Sequence, residues 1–153
     1  MLTVKDGNRK RRPGGREEAA FLELMRTTEV LSRRPAEVIK NEDLSATQYN
    51  VLRILRGAPD GLSCGEIANR MITKDPDITR LLDRLDKRGL ISRAREAQDR
   101  RTVRTRITQS GLELLSRLDE PVLAAHREQL GHLDQKQLKQ LSELLAECRS
   151  RLT

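Results

Sequence analysis

The segment that most constrains the fold is residues 73–106, because it joins a clearly bounded helix to a β-hairpin. An amphipathic helix is predicted by apolar residues at positions i, i+3, i+4 and i+7, namely Ile78, Leu81, Leu82 and Leu85. Asp75 is the predicted N-cap, Pro76 takes the first helical position, and Gly89 provides the left-handed residue that ends the helix. The face opposite the apolar stripe is polar and basic, so it is the face that can contact a partner.

The second half of this segment is predicted to form a β-hairpin. Period-two alternation occurs in residues 92–97 and 102–108, on either side of the polar residues 98–101; Ile91 precedes the first run, and the second is rich in β-branched residues. The hairpin carries six arginines: Arg93, Arg95, Arg100, Arg101, Arg104 and Arg106. A basic hairpin directly after a basic helix is typical of a wing that contacts the minor groove or backbone of DNA while the helix enters the major groove.

Positive charge is confined to two parts of the chain. Residues 1–16 carry six Lys and Arg against one acid, and residues 73–106 carry eleven against six, so the rest of the chain is net negative although the whole has a charge of +7. This distribution indicates a nucleic-acid footprint. Residues 1–15 show no periodicity and end in Pro-Gly-Gly, which predicts a disordered basic arm that either lies on DNA phosphates or aids solubility.

Two further helix starts are marked by capping boxes, in which a serine and a residue three positions later bind each other's backbone amides. Ser45 pairs with Gln48 in one, and Ser63 with Glu66 in the other. The short helix after Ser63, the turn at residues 72–74 and the basic helix that follows together predict a helix-turn-helix, to which the hairpin adds a wing. The predicted fold class is therefore mainly α (α+β), a winged helix-turn-helix.

The terminal helices are predicted to mediate dimerisation. The first begins at Arg16, and Pro35 is expected to kink it or to separate it from a segment at residues 36–41. Its apolar residues, which include Leu22 and Met25, occupy more than half of its circumference. The chain has one Phe, one Tyr and no Trp, which suits a helical protein whose core a second copy completes.

After the hairpin, Thr108 is expected to cap a long helix that Pro121 bends and Gly131 ends. A capping box at Asp134 and Gln137 then starts a last helix with a coiled-coil-like stripe that includes Leu138, Leu141 and Leu145. Little of the domain remains to cover that stripe. A homodimer is therefore predicted.

Three stretches together resemble the MarR family of bacterial transcription regulators. They are TRLLDRLDKRGLI at residues 79–91, Asp-Arg-Arg at residues 99–101 and ITQSG at residues 107–111. The resemblance extends from about Ala19 to the C-terminus. It implies a DNA-binding lobe at about residues 45–108 and dimerisation helices at residues 16–41 and 109–152, within one domain that spans residues 16–153.

The resemblance also implies the partners. A homodimer of this family binds a pseudo-palindromic double-stranded DNA operator, with recognition helices in successive major grooves and wings in the flanking minor grooves. A small-molecule effector, often an anionic or phenolic lipophile, binds between the dimerisation helices and the DNA-binding lobe and changes the half-site spacing. The scarcity of aromatic residues makes stacking of a phenol less expected here than in the family at large.

The predicted DNA contacts follow from the same pattern. In the family the wing-tip Asp-x-Arg places an arginine in the minor groove while the aspartate holds its guanidinium, and Asp99 and Arg101 match these positions. Arg80 and Arg84 are expected to read guanine edges. Thr73, Lys74 and Thr79 are expected to contact the DNA backbone. The remaining predicted DNA contacts are arginines of the wing, Arg95, Arg100 and Arg104, which reach the minor groove or the backbone. Asp77 and Asp83 could orient the arginines, accept from cytosine or penalise wrong sequences.

Other chemistry has little support. Cys64 lies in the first turn of a helix, where the dipole favours a thiolate, so a thiol redox sensor is one alternative; both Cys64 and Cys148 are interpreted as structural. His126 and His132 lack a completing ligand, so no metal is expected. Without a phosphate loop, nucleophile motif or paired catalytic carboxylates we expect neither an enzyme nor a cofactor.

We expect a cytoplasmic protein, because no secretion signal and no membrane-spanning run is present. A non-specific architectural DNA binder without an effector is the second alternative to a regulator.

Overall fold

The computed structural model describes residues 14–152, so most of the predicted N-terminal arm lies outside the described residues. The described chain divides into two compact units, residues 14–33 and residues 34–152. The described elements are, in chain order, α1 (Arg16–Lys40), α2 (Ala46–Arg56), α3 (Cys64–Arg70), α4 (Ile78–Lys87), β1 (Ile91–Arg95), β2 (Val103–Ile107), α5 (Gln109–Leu130) and α6 (Gln135–Ser150). The predicted mainly helical fold with a two-stranded wing is confirmed.

The capping residues start the helices where the sequence predicts. Ser45 accepts the Gln48 amide at 3.1 Å and donates its own amide to the Gln48 side chain at 3.0 Å. Ser63 caps α3 in the same way, and Asp134 caps α6. Thr108 caps α5 without a reciprocal partner. Each cap provides an acceptor for an amide that the helix itself leaves unpaired.

The start of α4 differs from the prediction. Its N-cap is Asp77, whose Oδ1 accepts the Arg80 amide at 3.2 Å, and Pro76 therefore lies in the preceding turn rather than at the first helical position. Asp75 Oδ1 instead accepts the amide of Asp77 at 2.8 Å. Asp75 thus forms a turn with its own side chain, and the next aspartate caps the helix.

Two prolines lie inside helices. The sequence predicts that Pro35 either kinks α1 or separates two helical segments, and the second expectation is wrong, because α1 continues to Lys40. Helix α5 likewise continues through Pro121. A proline removes one amide donor and crowds the preceding turn, and a long helix keeps enough other hydrogen bonds and contacts to tolerate that loss.

The core lies between α2, α3, α4, the base of the hairpin and α5. Its fully buried aliphatic side chains are Val51, Leu52, Leu55, Ile67, Leu82, Leu85, Ile91 and Leu115. The apolar stripe predicted for α4 faces this core, with Leu81, Leu82 and Leu85 buried and Ile78 half-buried. The polar face of α4 therefore points away from the core.

The end of α4 is fixed to the start of α5. Gly89 has a φ of +69° and ends the helix as predicted, with hydrogen bonds from Gly89 N to Asp86 O (2.8 Å) and from Leu90 N to Leu85 O (3.1 Å). Thr108 binds this turn twice, because its hydroxyl donates to Gly89 O at 2.6 Å and its amide to Leu90 O at 3.0 Å. A side chain at Gly111 would collide with Leu90 O, so glycine allows the close approach.

The hairpin pairs β1 with β2 in antiparallel register, from Ile91 opposite Ile107 to Arg95 opposite Val103. A short third pairing joins Leu62 to the buried Thr105, with hydrogen bonds of 3.0 and 2.8 Å. The segment before α3 thereby holds the base of the wing.

The terminal helices keep apolar side chains exposed. In α1, Phe21 is 59% exposed and Met25 55% exposed, and no residue of α6 is buried. In α6, Leu144 is 62% exposed. Between residues 14 and 152, none of the helices has the length and apolar character needed to cross a membrane.

Candidate nucleic-acid interface

The polar face of α4 presents Thr79, Arg80 and Arg84, all of them exposed. Arg80 Nε lies 3.4 Å from Asp77 Oδ2, so the N-cap residue also orients this arginine. Arg84 forms no ion pair with any residue that the structure describes. This face therefore offers one oriented guanidinium and one free guanidinium at adjacent helical turns.

The other acids of α4 are bound by an arginine of the wing. Arg93 Nη2 lies 2.6 Å from Asp83 Oδ1, and Arg93 Nε donates to Asp86 Oδ2 at 3.2 Å. Burial lowers the pKa of the Arg93 guanidinium, but the hydrogen bonds that it donates to the two aspartates outweigh this effect, so the pKa is raised overall. Of the roles considered for Asp83, the structure shows a pairing with a wing arginine.

Arg104, one of the predicted DNA contacts, is also bound to acceptors within the protein. Its Nε lies 2.6 Å from Glu96 Oε1, while Nη1 lies 3.2 Å from both Glu66 Oε2 and Gly61 O. The hydrogen bond that Arg104 donates to Glu96 is the main reason that the pKa of Arg104 is raised. A guanidinium that already serves three acceptors is not free to bind phosphate without losing them.

The turn before α4 contains the two predicted backbone clamps. Lys74 Nζ donates to Ala68 O at 2.7 Å and to Asn69 O at 3.1 Å, at the C-terminal end of α3. An ammonium has three donors, so one donor and the positive charge remain for a phosphate. Thr73 is exposed beside it.

The wing tip, residues 96–102, is organised by Asp99. Asp99 Oδ1 accepts the Arg101 amide at 2.9 Å and Oδ2 accepts the Thr102 hydroxyl at 3.0 Å. The aspartate thus holds the backbone of the turn, and the expected pairing with the Arg101 guanidinium is not the contact observed. The guanidinium of Arg101 is exposed instead.

The arginines of the wing therefore fall into two groups. Arg93 and Arg104 are bound to carboxylates. Those that are exposed and have no ion pair within residues 14–152 are Arg95, Arg100, Arg101 and Arg106. Arg106 is not among the DNA contacts predicted from the sequence, although its charge and its position on β2 are suited to such a contact. Sequence reasoning also missed the partners Asp86, Glu66 and Glu96, for which the sequence gives no local signal.

The cysteines and histidines form no common site. Cys64 is half-buried at the start of α3 and packs against the core, whereas Cys148 is exposed in the single chain. Among the described residues, no group of three or more His, Cys, Asp or Glu side chains could hold a metal ion.

A short helix, a turn, a helix with exposed arginines and a cationic hairpin define a winged helix-turn-helix protein. A sequence model of the MarR family matches residues 44–103. A MarR transcription factor from Planctomyces limnophilus, known from its crystal structure, is 43% identical over 84% of this chain and 94% of that one, with a TM-score of 0.66. The chain belongs to the MarR family and is a MarR-family transcriptional regulator.

Two other relatives are informative. The HTH-type transcriptional regulator PecS of Dickeya dadantii is 29% identical over 131 residues, which are 84% of this chain and 79% of PecS. The structure of a mutant MarR from E. coli complexed with operator DNA has a TM-score of 0.78 at 22% identity and covers 87% of this chain and 95% of that one. The second similarity concerns the fold alone.

Proposed function

We propose that this protein is a sequence-specific DNA-binding repressor that acts as a homodimer on a pseudo-palindromic double-stranded operator. The observation that carries the proposal is the division of charge in residues 73–106. Arg84 on α4 and Arg100 and Arg101 at the wing tip form no ion pair among the described residues, while the nearby aspartates accept hydrogen bonds from backbone amides or from Arg93. Phosphates would therefore meet exposed guanidinium groups, while the nearby carboxylates are engaged in contacts within the protein.

The proposed contacts divide by element. Arg80 and Arg84 on α4 read base edges in the major groove, and Thr79 contacts a phosphate. Arg101 enters the minor groove, where a narrow groove concentrates negative potential. The backbone contacts come from the turn and the wing, through Thr73, Lys74, Arg95 and Arg100.

We further propose that the protein has a DNA-binding lobe at about residues 45–108 and dimerisation helices at residues 16–41 and 109–152. The support is apolar surface that remains on the terminal helices. Leu22, Met25 and Leu141 are exposed, and Leu138 and Leu145 are half-buried. Large apolar surface of this kind marks an interface with another protein.

The operator complex of E. coli MarR supports the proposed mode of binding. Two α4 helices of a dimer would enter successive major grooves about one helical turn apart. Relief of repression by a small molecule is the regulatory part of the proposal. Its physical basis would be a difference in the ligand's affinity for two conformers of the dimer. A regulator that acts on DNA belongs in the cytoplasm, where we place it.

The test is selection of genomic DNA fragments by the pure protein, followed by titration of the selected and a scrambled sequence at several salt concentrations. We expect tighter binding to the selected sequence by at least about 1000-fold. Arg84→Ala should reduce this preference for the selected sequence. Arg127→Ala, which removes an exposed arginine of α5, is the matched control and should not reduce it. Equal affinity for both sequences would indicate an architectural binder instead. A loss of affinity upon oxidation that Cys64→Ser abolishes would indicate a thiol redox sensor.

A further inference from the structure

The wing leaves the body of the protein as a narrow ribbon, so something must fix its direction. Its two strands have five residues each, and the residues that are buried or pack against the core are Ile91, Thr105 and Ile107. A two-stranded hairpin is marginally stable by itself. The middle of the ribbon is where Arg93 and Arg104 make their contacts.

Arg93 binds the ribbon to α4. It projects from the same face of the sheet as the buried Ile91 and Thr105, because side chains alternate along a strand and Thr105 is its cross-strand partner. Its guanidinium lies within 3.2 Å of both Asp83 and Asp86, one helical turn apart on α4. The Arg93 side chain is 27% exposed, so these pairs are better shielded from solvent than the surface pairs of α1.

Arg104 binds the opposite face of the ribbon to α3. Its cross-strand partner is Ala94, and it is adjacent to the inward-facing Thr105 on β2. Its side chain therefore projects from the opposite face of the sheet. It joins Glu96 of the wing to Glu66 in the first turn of α3 and to Gly61 O, which precedes α3. The two arginines thus hold one ribbon from both faces, each against a different helix of the helix-turn-helix.

We propose that Arg93 and Arg104 are positioning residues that fix the wing relative to α3 and α4, so that the major-groove and minor-groove contacts of a half-site are made together. This inference rests on the proposed DNA-binding function. Pre-organisation improves binding because the ribbon does not have to be ordered when DNA binds. Arginine suits this role because its planar fork reaches several acceptors in fixed directions.

The alternative is that these residues act only through their charge, and acid-to-amide changes distinguish the two. Glu96→Gln and Asp86→Asn each remove one negative charge near the DNA surface. A charge effect alone would tighten DNA binding. Positioning predicts weaker binding, by about threefold to tenfold, which is within the range of coupling between interacting side chains. Glu113→Gln on the exposed face of α5 is the matched control and should leave affinity unchanged.

Two further readouts are specific to wing position. The preference for A·T over G·C base pairs in the minor groove that flanks each half-site should decrease in Glu96→Gln, while discrimination at major-groove positions is retained. In the free protein, exchange of the Glu96 amide, which donates to Thr102 O at 3.0 Å, should become faster. Arg104→Lys keeps the positive charge but loses the planar guanidinium. Its DNA affinity should therefore lie between those of the wild-type protein and Arg104→Gln.

The outcomes decide the proposal. Weaker binding, reduced minor-groove preference and faster amide exchange support it. Unchanged or tighter binding of Glu96→Gln and Asp86→Asn overturns it, and so does weaker binding with unchanged exchange, which would indicate direct contact with DNA. Full wild-type affinity of Arg104→Lys would also overturn it. If the wild-type protein shows no sequence preference, the proposed function fails, and amide exchange in the free protein then decides whether the two arginines hold the wing.

Discussion

The DNA-binding lobe and the C-terminal helix α6 use the same aliphatic residue type in opposite ways. Leu52, Leu55 and Leu85 in the lobe have no exposed surface, whereas Leu144 in α6 is 62% exposed and no residue of α6 is buried. Burying a leucine fully contributes about 1.5–3 kcal/mol. The core that the lobe forms with α5 is therefore complete in the single chain without Trp or Phe, while the leucines of α6 stay unburied there.

The largest expected effect concerns the core of the lobe. Leu52→Ala should lower the free energy of unfolding by about 2–5 kcal/mol, because it removes buried methyl groups and leaves a cavity. Denaturant titration monitored by circular dichroism measures the change. Ile72→Ala, at a position that is 87% exposed, is the control and should change stability by less than about 0.5 kcal/mol. A similar small effect of Leu52→Ala would show that the lobe is not packed as described.

The second prediction tests the terminal helix. Leu141→Asp should weaken dimerisation by about 100-fold, because dimer formation would bury an unpaired carboxylate. Sedimentation velocity over a concentration series measures this equilibrium. Gln140→Asp places the same charge at an exposed polar position of α6 and should leave the dimer intact. If the wild-type protein is a monomer at micromolar concentration, the contrast between lobe and α6 has another origin.

The third prediction separates the surface of the lobe from its core. Arg84→Ala should cost about 1–3 kcal/mol of binding to the cognate operator and much less on random DNA, with unchanged unfolding and dimerisation. Arg80→Ala should behave similarly. Fluorescence anisotropy titrations with both DNAs measure the difference. Equal losses on both would assign these arginines to phosphate contacts.

The fourth prediction concerns the wing tip. Asp99→Ala should weaken DNA binding although it removes a negative charge, because Asp99 holds the Arg101 amide and the Thr102 hydroxyl. The expected loss is about 1 kcal/mol, the usual contribution of a hydrogen bond. Arg101→Ala combined with Asp99→Ala should resemble Arg101→Ala alone. Tighter binding by Asp99→Ala would show that only net charge matters at the tip.

The smallest expected effect is a pH dependence of the stability of the lobe. The Ser63 backbone amide holds the pKa of the Glu66 carboxyl below its ordinary value of 4.5. A lowered pKa means that the stabilisation is present above the ordinary value and is lost as pH falls through the lowered one. As the pH falls through this acidic range, the melting temperature of the wild-type protein should therefore fall relative to that of Glu66→Gln. Thermal unfolding at a series of pH values measures the difference. Parallel pH profiles of the two proteins would contradict the assignment.

Local signals predicted most of the helices. The capping boxes at Ser45 and Ser63 depend on residues three positions apart, so the sequence contains all the information needed. The N-cap of α4 was misplaced because Asp75 and Asp77 are both good caps, and the choice depends on backbone angles at Pro76. Helix α1 continues through Pro35 although the local rule predicts a break.

The site was predicted only in part, because ion pairing is not local. Arg104 is separated from Glu66 by 38 residues and from Gly61 by 43. Nothing near Arg104 in the sequence distinguishes it from the exposed Arg101. Only the pairing of the strands and the position of α3 bring its acceptors within reach.

The two hydrogen bonds from Thr108 to the turn after α4, together with the close approach at Gly111, make the end of α4 and the start of α5 a stiff joint. A stiff joint transmits rotation. A tilt of α5 would therefore be accompanied by a tilt of α4. In a dimer that pairs through the terminal helices, a small change of angle at those helices would then change the distance between the two α4 helices.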